Sequence, residues 1–276
     1  MQDDRIGLAF HETFALSLPS VSAILRLSLT QRGDVNAHTI CTETALGARY
    51  VKAMPRYARG CGLLEMGSYR LTQLGEFVCE RDAHLIHLNT LWVMHYHLSA
   101  LHGPGPAFWS HLVTRSLPFG EEIDSAAVAA AIARFQQVQP AGRELGERTL
   151  RSTATVFLGS YTKSDGLGQL KLIEPIGSGP GRARVGAPRV PPLGVVAYTL
   201  ADHWEAHYGQ QVTVSLDELA REDGFARVMW MDHRQLDEAL DGLKRQGIVD
   251  LYRVAPPYQV ARLWANKEEL LDRLYA

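Results

Sequence analysis

Between Thr44 and Gly62 the chain carries four basic residues and no acidic one. Arg49, Lys52, Arg56 and Arg59 recur at helical spacing and fall within roughly 80° of one another. Val51, Met54, Ala58 and Cys61 gather on the other side. One face of such a helix can pack on a core while the other offers cations to phosphates or guanine edges. The plain alternative is a solvated surface face, the usual meaning of a charge run. Pro55 lacks an N–H and disfavours helix at Met54, so a kink or a restart is expected there. A kink would turn Arg56 and Arg59 away from Arg49 and Lys52.

The flanks of this stretch supply the rest of a winged helix-turn-helix over Gln31–Glu80. Pro19 biases Leu18 away from helix, so Ser20 is expected to cap a first helix over Val21–Thr30. Asn36 and Thr39 open a second over Ala37–Thr44, and Gly47 makes the turn. The basic helix then runs from Ala48 to Cys61, and Gly62 ends it. Leu63–Met66 and Tyr69–Thr72 read as two wing strands around Gly67-Ser68, with Thr72 capping a further helix. Arg70 on the wing is placed to reach a backbone phosphate.

The fold expected is mainly α with small β wings, in four segments. Residues 1–82 form the N-terminal winged-helix domain. Residues 83–161 form a helical middle region, with Asp124 capping a helix over Ser125–Gln137 and another over Glu147–Tyr161. Residues 162–193 form a hairpin or linker, with Leu170–Ile173 and Ala183–Val185 as its strands. Gly177-Ser178-Gly179-Pro180-Gly181 lacks the Lys-Ser/Thr of a P-loop, and Arg182, Arg184 and Arg189 read as solvated linker. Residues 194–276 form a second winged-helix-like domain. Its elements are a helix over Val195–Tyr208, helices opened by Ser215 and Asp232, a stop at Gly247, strands Ile248–Arg253 and Tyr258–Leu263, and a terminal helix around Leu270, Leu271 and Leu274.

Charge separates these parts. Residues 194–276 hold nine Lys/Arg against fourteen Asp/Glu, a net of −5, whereas the whole chain carries −2. A nucleic-acid surface therefore belongs in the N-terminal two-thirds, and the acidic end suits a protein partner. Three cysteines, Cys41, Cys61 and Cys79, have no CxxC spacing and suggest buried thiols in a reducing cytoplasm. No apolar run reaches membrane length, and Met1-Gln2-Asp3-Asp4 does not open a signal peptide. Six histidines lie between His84 and His111. Only His84 and His87 stand one turn apart, and His95 and His102 are too far apart for one zinc, so no metal and no cofactor is expected. Adjacent His11 and Glu12 diverge on any regular element; a buried polar anchor is the favoured reading.

Several phrases in order resemble the prokaryotic DUF4007 family. They are His11-Glu12-Thr13-Phe14, Leu46-Gly47 leading to Ala58-Arg59-Gly60-Cys61-Gly62-Leu63-Leu64, Leu71-Thr72-Gln73-Leu74-Gly75, Leu91-Trp92-Val93-Met94-His95-Tyr96 and Phe157-Leu158-Gly159-Ser160-Tyr161. The resemblance implies a neighbourhood of DNA phosphorothioation and phage-defence genes, and no catalytic residues. The expected function is a non-enzymatic DNA-binding accessory subunit of such a system, acting with its other proteins on double-stranded DNA. Arg49, Lys52, Arg56, Arg59 and Arg70 are the expected contacts. The alternatives are a protein-interaction adaptor without DNA contact, and a metal-dependent nuclease using His11 and Glu12.

Overall fold

The computed structural model describes residues 6–138, 145–177 and 181–276. The first five residues and Ser178-Gly179-Pro180 of the predicted glycine loop lie outside the described residues. The chain divides into two compact units, Met1–Ala187 and Pro188–Ala276.

In the first unit, helix α1 spans Leu18–Thr30, α2 Ala37–Thr44, α3 Ala48–Gly60 and α4 Gln73–Arg81. Asn36 caps α2 by accepting the Thr39 N–H, and Thr72 caps α4 by accepting that of Gly75. Helix α1 starts at Leu18, three residues before the expected Val21, with Ser17 and not Ser20 at its N-cap position. Pro19 occupies the first turn, where a missing N–H costs no helical bond. Helix α3 runs unbroken through Pro55, which is buried. The expected wing strands reduce to one antiparallel bridge, Leu64 with Leu71. The tip is turned on itself, since the Ser68 N–H and hydroxyl both point back to Glu65.

Helix α5 covers Leu88–Ser99, and α6 covers Ala107–His111 before a π-helical turn at Leu112–Ser116. Strand β1 (Glu122–Asp124) leads into α7 (Ser125–Gln137), with Asp124 accepting the Ala127 N–H as its cap. Helix α8 spans Glu147–Thr162. Strands β2 (Ile173–Pro175) and β3 (Arg182–Val185) pair antiparallel; the first begins where the expected strand Leu170–Ile173 ends, because Leu167–Leu170 is a 3₁₀ turn. Strand β1 adds to the pair in the antiparallel order β1-β3-β2, with Glu122 opposite Arg184.

The core of this unit is aromatic. Trp109 Nε1 donates to Tyr161 Oη at 2.9 Å, and His95 Nδ1 lies 2.8 Å from the same oxygen. His95 is fully buried there and serves packing. His84 sits in a turn and His87 is the N-cap of α5, so the pair does not share a helical face. Cys61 and Cys79 are buried and Cys41 is half-buried, all with free thiols. Burial pushes the Cys79 thiol up to about 11 and raises that of Cys61 further.

In the second unit, α9 (Leu193–Tyr208) is followed by β4 (Thr213–Ser215), α10 (Leu216–Ala220) and α11 (Phe225–Val228). Ser215 opens α10 as expected, accepting the Glu218 N–H, and α11 follows as a separate short helix, with Gly224 closely surrounded by the carbonyls of Glu218, Leu219 and Arg221. Helix α12 (His233–Arg245) is capped by Asp232, which accepts the N–H groups of Arg234 and Gln235. Strands β5 (Val249–Tyr252) and β6 (Gln259–Arg262) join β4 in the order β4-β6-β5. The terminal segment Lys267–Tyr275 is a 3₁₀ helix, with Leu270, Leu271 and Leu274 buried. Among the described residues, no helix is long and apolar enough to cross a membrane.

Candidate nucleic-acid interface

Val51, Met54, Ala58 and Cys61 are all buried, so α3 presents its opposite face as the spacing predicts. Arg49 and Lys52 are exposed on that face. Among the described residues neither has a carboxylate within ion-pair distance.

One turn further along, the ridge changes character. Arg56 Nη1 donates to the Phe10 carbonyl at 3.1 Å and to Glu12 Oε1 at 3.3 Å. Arg59 donates through Nε and Nη2 to the Ser68 carbonyl, at 3.1 and 2.7 Å, and stands 5.2 Å over the Tyr69 ring. Burial lowers the pKa of Arg59, and neighbouring Arg56 lowers it further, against a favourable contribution from Tyr69. Arg70 is exposed, with its stem against Gly33; a Cβ at Gly33 would lie 2.5 Å from Arg70 Cγ. Arg70 shares a shallow hollow with Glu65 and Glu76. The five predicted cations therefore divide into three open ones, Arg49, Lys52 and Arg70, and two held by the chain itself.

The N-terminal segment does the holding. Residues 8–13 form turns. Phe10 packs edge-on against Tyr57 at 4.7 Å, and Tyr57 Oη donates to the Phe14 carbonyl at 2.9 Å. Glu12 and Thr13 adopt φ of 47° and 72°, a left-handed conformation costly outside glycine. His11, immediately before them, is buried. The Thr13 N–H donates to His11 Nδ1 at 3.0 Å, so Nδ1 is unprotonated. Nε2 therefore carries the proton and donates to Thr153 Oγ1, also at 3.0 Å, while that hydroxyl donates to the Thr149 carbonyl. Burial brings the His11 pKa down to about 4, despite the opposing pull of Glu12. His11 is thus the buried polar anchor, and Glu12 points away from it to Arg56.

The spacing of the four cations did not reveal that a carboxylate 44 residues upstream meets the third of them. The unusual phrase around His11 was the only hint that this segment had a fixed partner.

A family model described as "Protein of unknown function (DUF4007)" matches residues 9–275. No curated protein is significantly similar in sequence. Two solved structures share the fold. They are titled "SspB crystal structure" and "Magnesium ion-bound SspB crystal structure". Each has a TM-score of 0.76 and 17% identity, over 96% of this chain and 86% of the other.

Proposed function

The chain belongs to the DUF4007 family, and on that premise we propose that it is a DNA-binding accessory subunit of a prokaryotic phage-defence or DNA-modification system. The observation that carries this reading is the outward half of α3. Arg49 and Lys52 project from a helix whose other face is buried, with no acidic residue between Thr44 and Gly62. Helix α2, a three-residue turn and α3 follow one another as in a helix-turn-helix, and the turn bearing Arg70 takes the place of a wing. In this reading Arg49 and Lys52 meet phosphates or base edges and Arg70 adds a backbone contact. Arg56 and Arg59 hold the N-terminal segment and the wing turn against the helix end.

Phosphate contacts act through counterion release, so low salt exposes them best. Fluorescence anisotropy with a labelled duplex at low salt is the test. The Arg49→Glu/Lys52→Glu protein is expected to bind at least about tenfold more weakly than wild type. Unchanged affinity in that double variant rejects the assignment. Comparing modified with unmodified duplexes in the same assay tests whether a phosphorothioate backbone is read.

The acidic second unit supports an adaptor role alongside DNA contact or in place of it. Its surplus of carboxylates repels a duplex and suits a basic protein surface. Retention of the products of neighbouring genes on the purified protein, with no duplex binding, favours the adaptor reading alone.

A further inference from the structure

Arg56 and Arg59 border a hollow of about 400 Å³ at the end of α3, whose other walls include Ile6, Phe10 and Met66. We propose that this hollow is a subsite for a single nucleotide, with its phosphate between the two guanidinium groups and its base against the apolar wall. The proposal rests on the DNA-binding reading above and deepens it. It adds a site for one nucleotide freed from the stack beside the outward cations.

Four observations carry it. First, the two guanidinium groups lie near enough to repel, yet only one carboxylate, Glu12, meets them among the described residues. Among the described residues that line the hollow, the charge is net positive. Second, both arginines retain N–H donors. Arg56 uses Nη1 alone, leaving Nε and Nη2, and Arg59 leaves Nη1. Planar forks with spare donors suit a tetrahedral oxyanion. Third, their internal bonds fix them, so little conformational freedom remains to be lost on binding. Arg59 in particular is partly desolvated without a carboxylate, and an incoming anion would compensate its charge. Fourth, the volume falls in the range of small-molecule sites, about 300–1,000 Å³. Inorganic phosphate alone would leave Met66 uncovered. Met66 is 41% exposed, an apolar side chain at the rim with area left for a base to cover. Gly7 and Gly67 also border the hollow, and no atom stands within 4 Å of where their Cβ atoms would be.

The test is isothermal titration of the full chain with dAMP, inorganic phosphate and deoxyadenosine. The expected result is saturable dAMP binding, at least about tenfold tighter than either phosphate or the nucleoside. Met66→Glu places a carboxylate at the rim of the hollow without touching the core. Arg56→Gln replaces one guanidinium by a shorter, neutral polar side chain. Each is expected to weaken dAMP at least about tenfold. Arg49→Glu/Lys52→Glu is expected to leave dAMP binding intact, which separates this site from the duplex-binding face. Circular dichroism melts confirm that each variant folds. Absence of saturable dAMP binding overturns the proposal, as does phosphate or deoxyadenosine binding as tightly as dAMP. Wild-type dAMP affinity in Met66→Glu overturns it too. None of these outcomes bears on whether Arg49 and Lys52 bind duplex.

Discussion

His11 shows how one side chain can set the geometry of a surface it does not reach. Its ring bridges the Thr13 N–H and the Thr153 hydroxyl, and that bridge keeps Glu12 turned toward Arg56. The bridge requires a neutral ring, because Nδ1 must accept. In the folded chain protonation waits until about pH 4, whereas an unfolded histidine takes up its proton near 6.5. Between these values the unfolded state binds more protons, so the His11 contribution falls as pH falls and is gone below pH 4. The full span corresponds to at most ~3 kcal/mol. Replacing His11 by Asn should lower stability at pH 7 by ~1–3 kcal/mol through the buried groups left unpaired. The gap between wild type and His11→Asn should then close progressively from pH 6.5 to pH 4. Urea unfolding at a series of pH values measures it; two parallel curves would show that His11 does not titrate in this way. A lesser outcome is expected at Asn36, whose replacement by Ala should cost ~1 kcal/mol through loss of the Thr39 cap.

At the scale of elements, close backbone approaches decide which helices meet. A Cβ on Gly194 would lie 1.8 Å from the Arg273 carbonyl oxygen, at the start of α9 where the 3₁₀ segment packs. Gly194→Ala must push that segment away. The expected loss is ~1–3 kcal/mol or more, read as a lower thermal midpoint. Retention of the wild-type midpoint would mean the two backbones are not in that contact. Such approaches mark the limit of what could be read from the chain alone. The caps at Asn36, Thr72 and Asp124 were legible because each bond joins residues three apart. The faces of α3 were legible because helical periodicity is local. Strand β1 was not, since its three residues pair with a strand some sixty positions later and carry no alternation of their own. Nor was the Glu12–Arg56 pair, which depends on a left-handed turn held by a third, distant helix. Pro19 and Pro55 misled for a related reason. Their penalties are set by position within a helix and by surrounding packing, neither of which composition discloses.

Over the whole molecule, the balance of charge limits how DNA can be held. The chain is acidic overall, and the deficit of cations is concentrated in residues 194–276. The chain is then no broad polyanion sink, and on the DNA-binding reading proposed above its duplex affinity comes from a few placed side chains. Arg49, Lys52 and Arg70 are exposed and unengaged by carboxylates among the described residues, although Glu65 and Glu76 stand near Arg70. Three phosphate contacts imply a slope of about −2.7 when log affinity is plotted against log salt, or a loss of about fortyfold from 50 to 200 mM. Reversing Arg49 and Lys52 should flatten that slope by about two, because two counterion releases disappear. A wild-type slope steeper than about −6 would require cations that this surface does not provide. A slope near zero would mean that the exposed cations of α3 meet water and not phosphate, and would shift the balance to a purely protein-facing role. On the DNA-binding reading, the attraction of α3 and the repulsion by the acidic unit are both least screened below physiological salt, so the effect of the reversal should be strongest there.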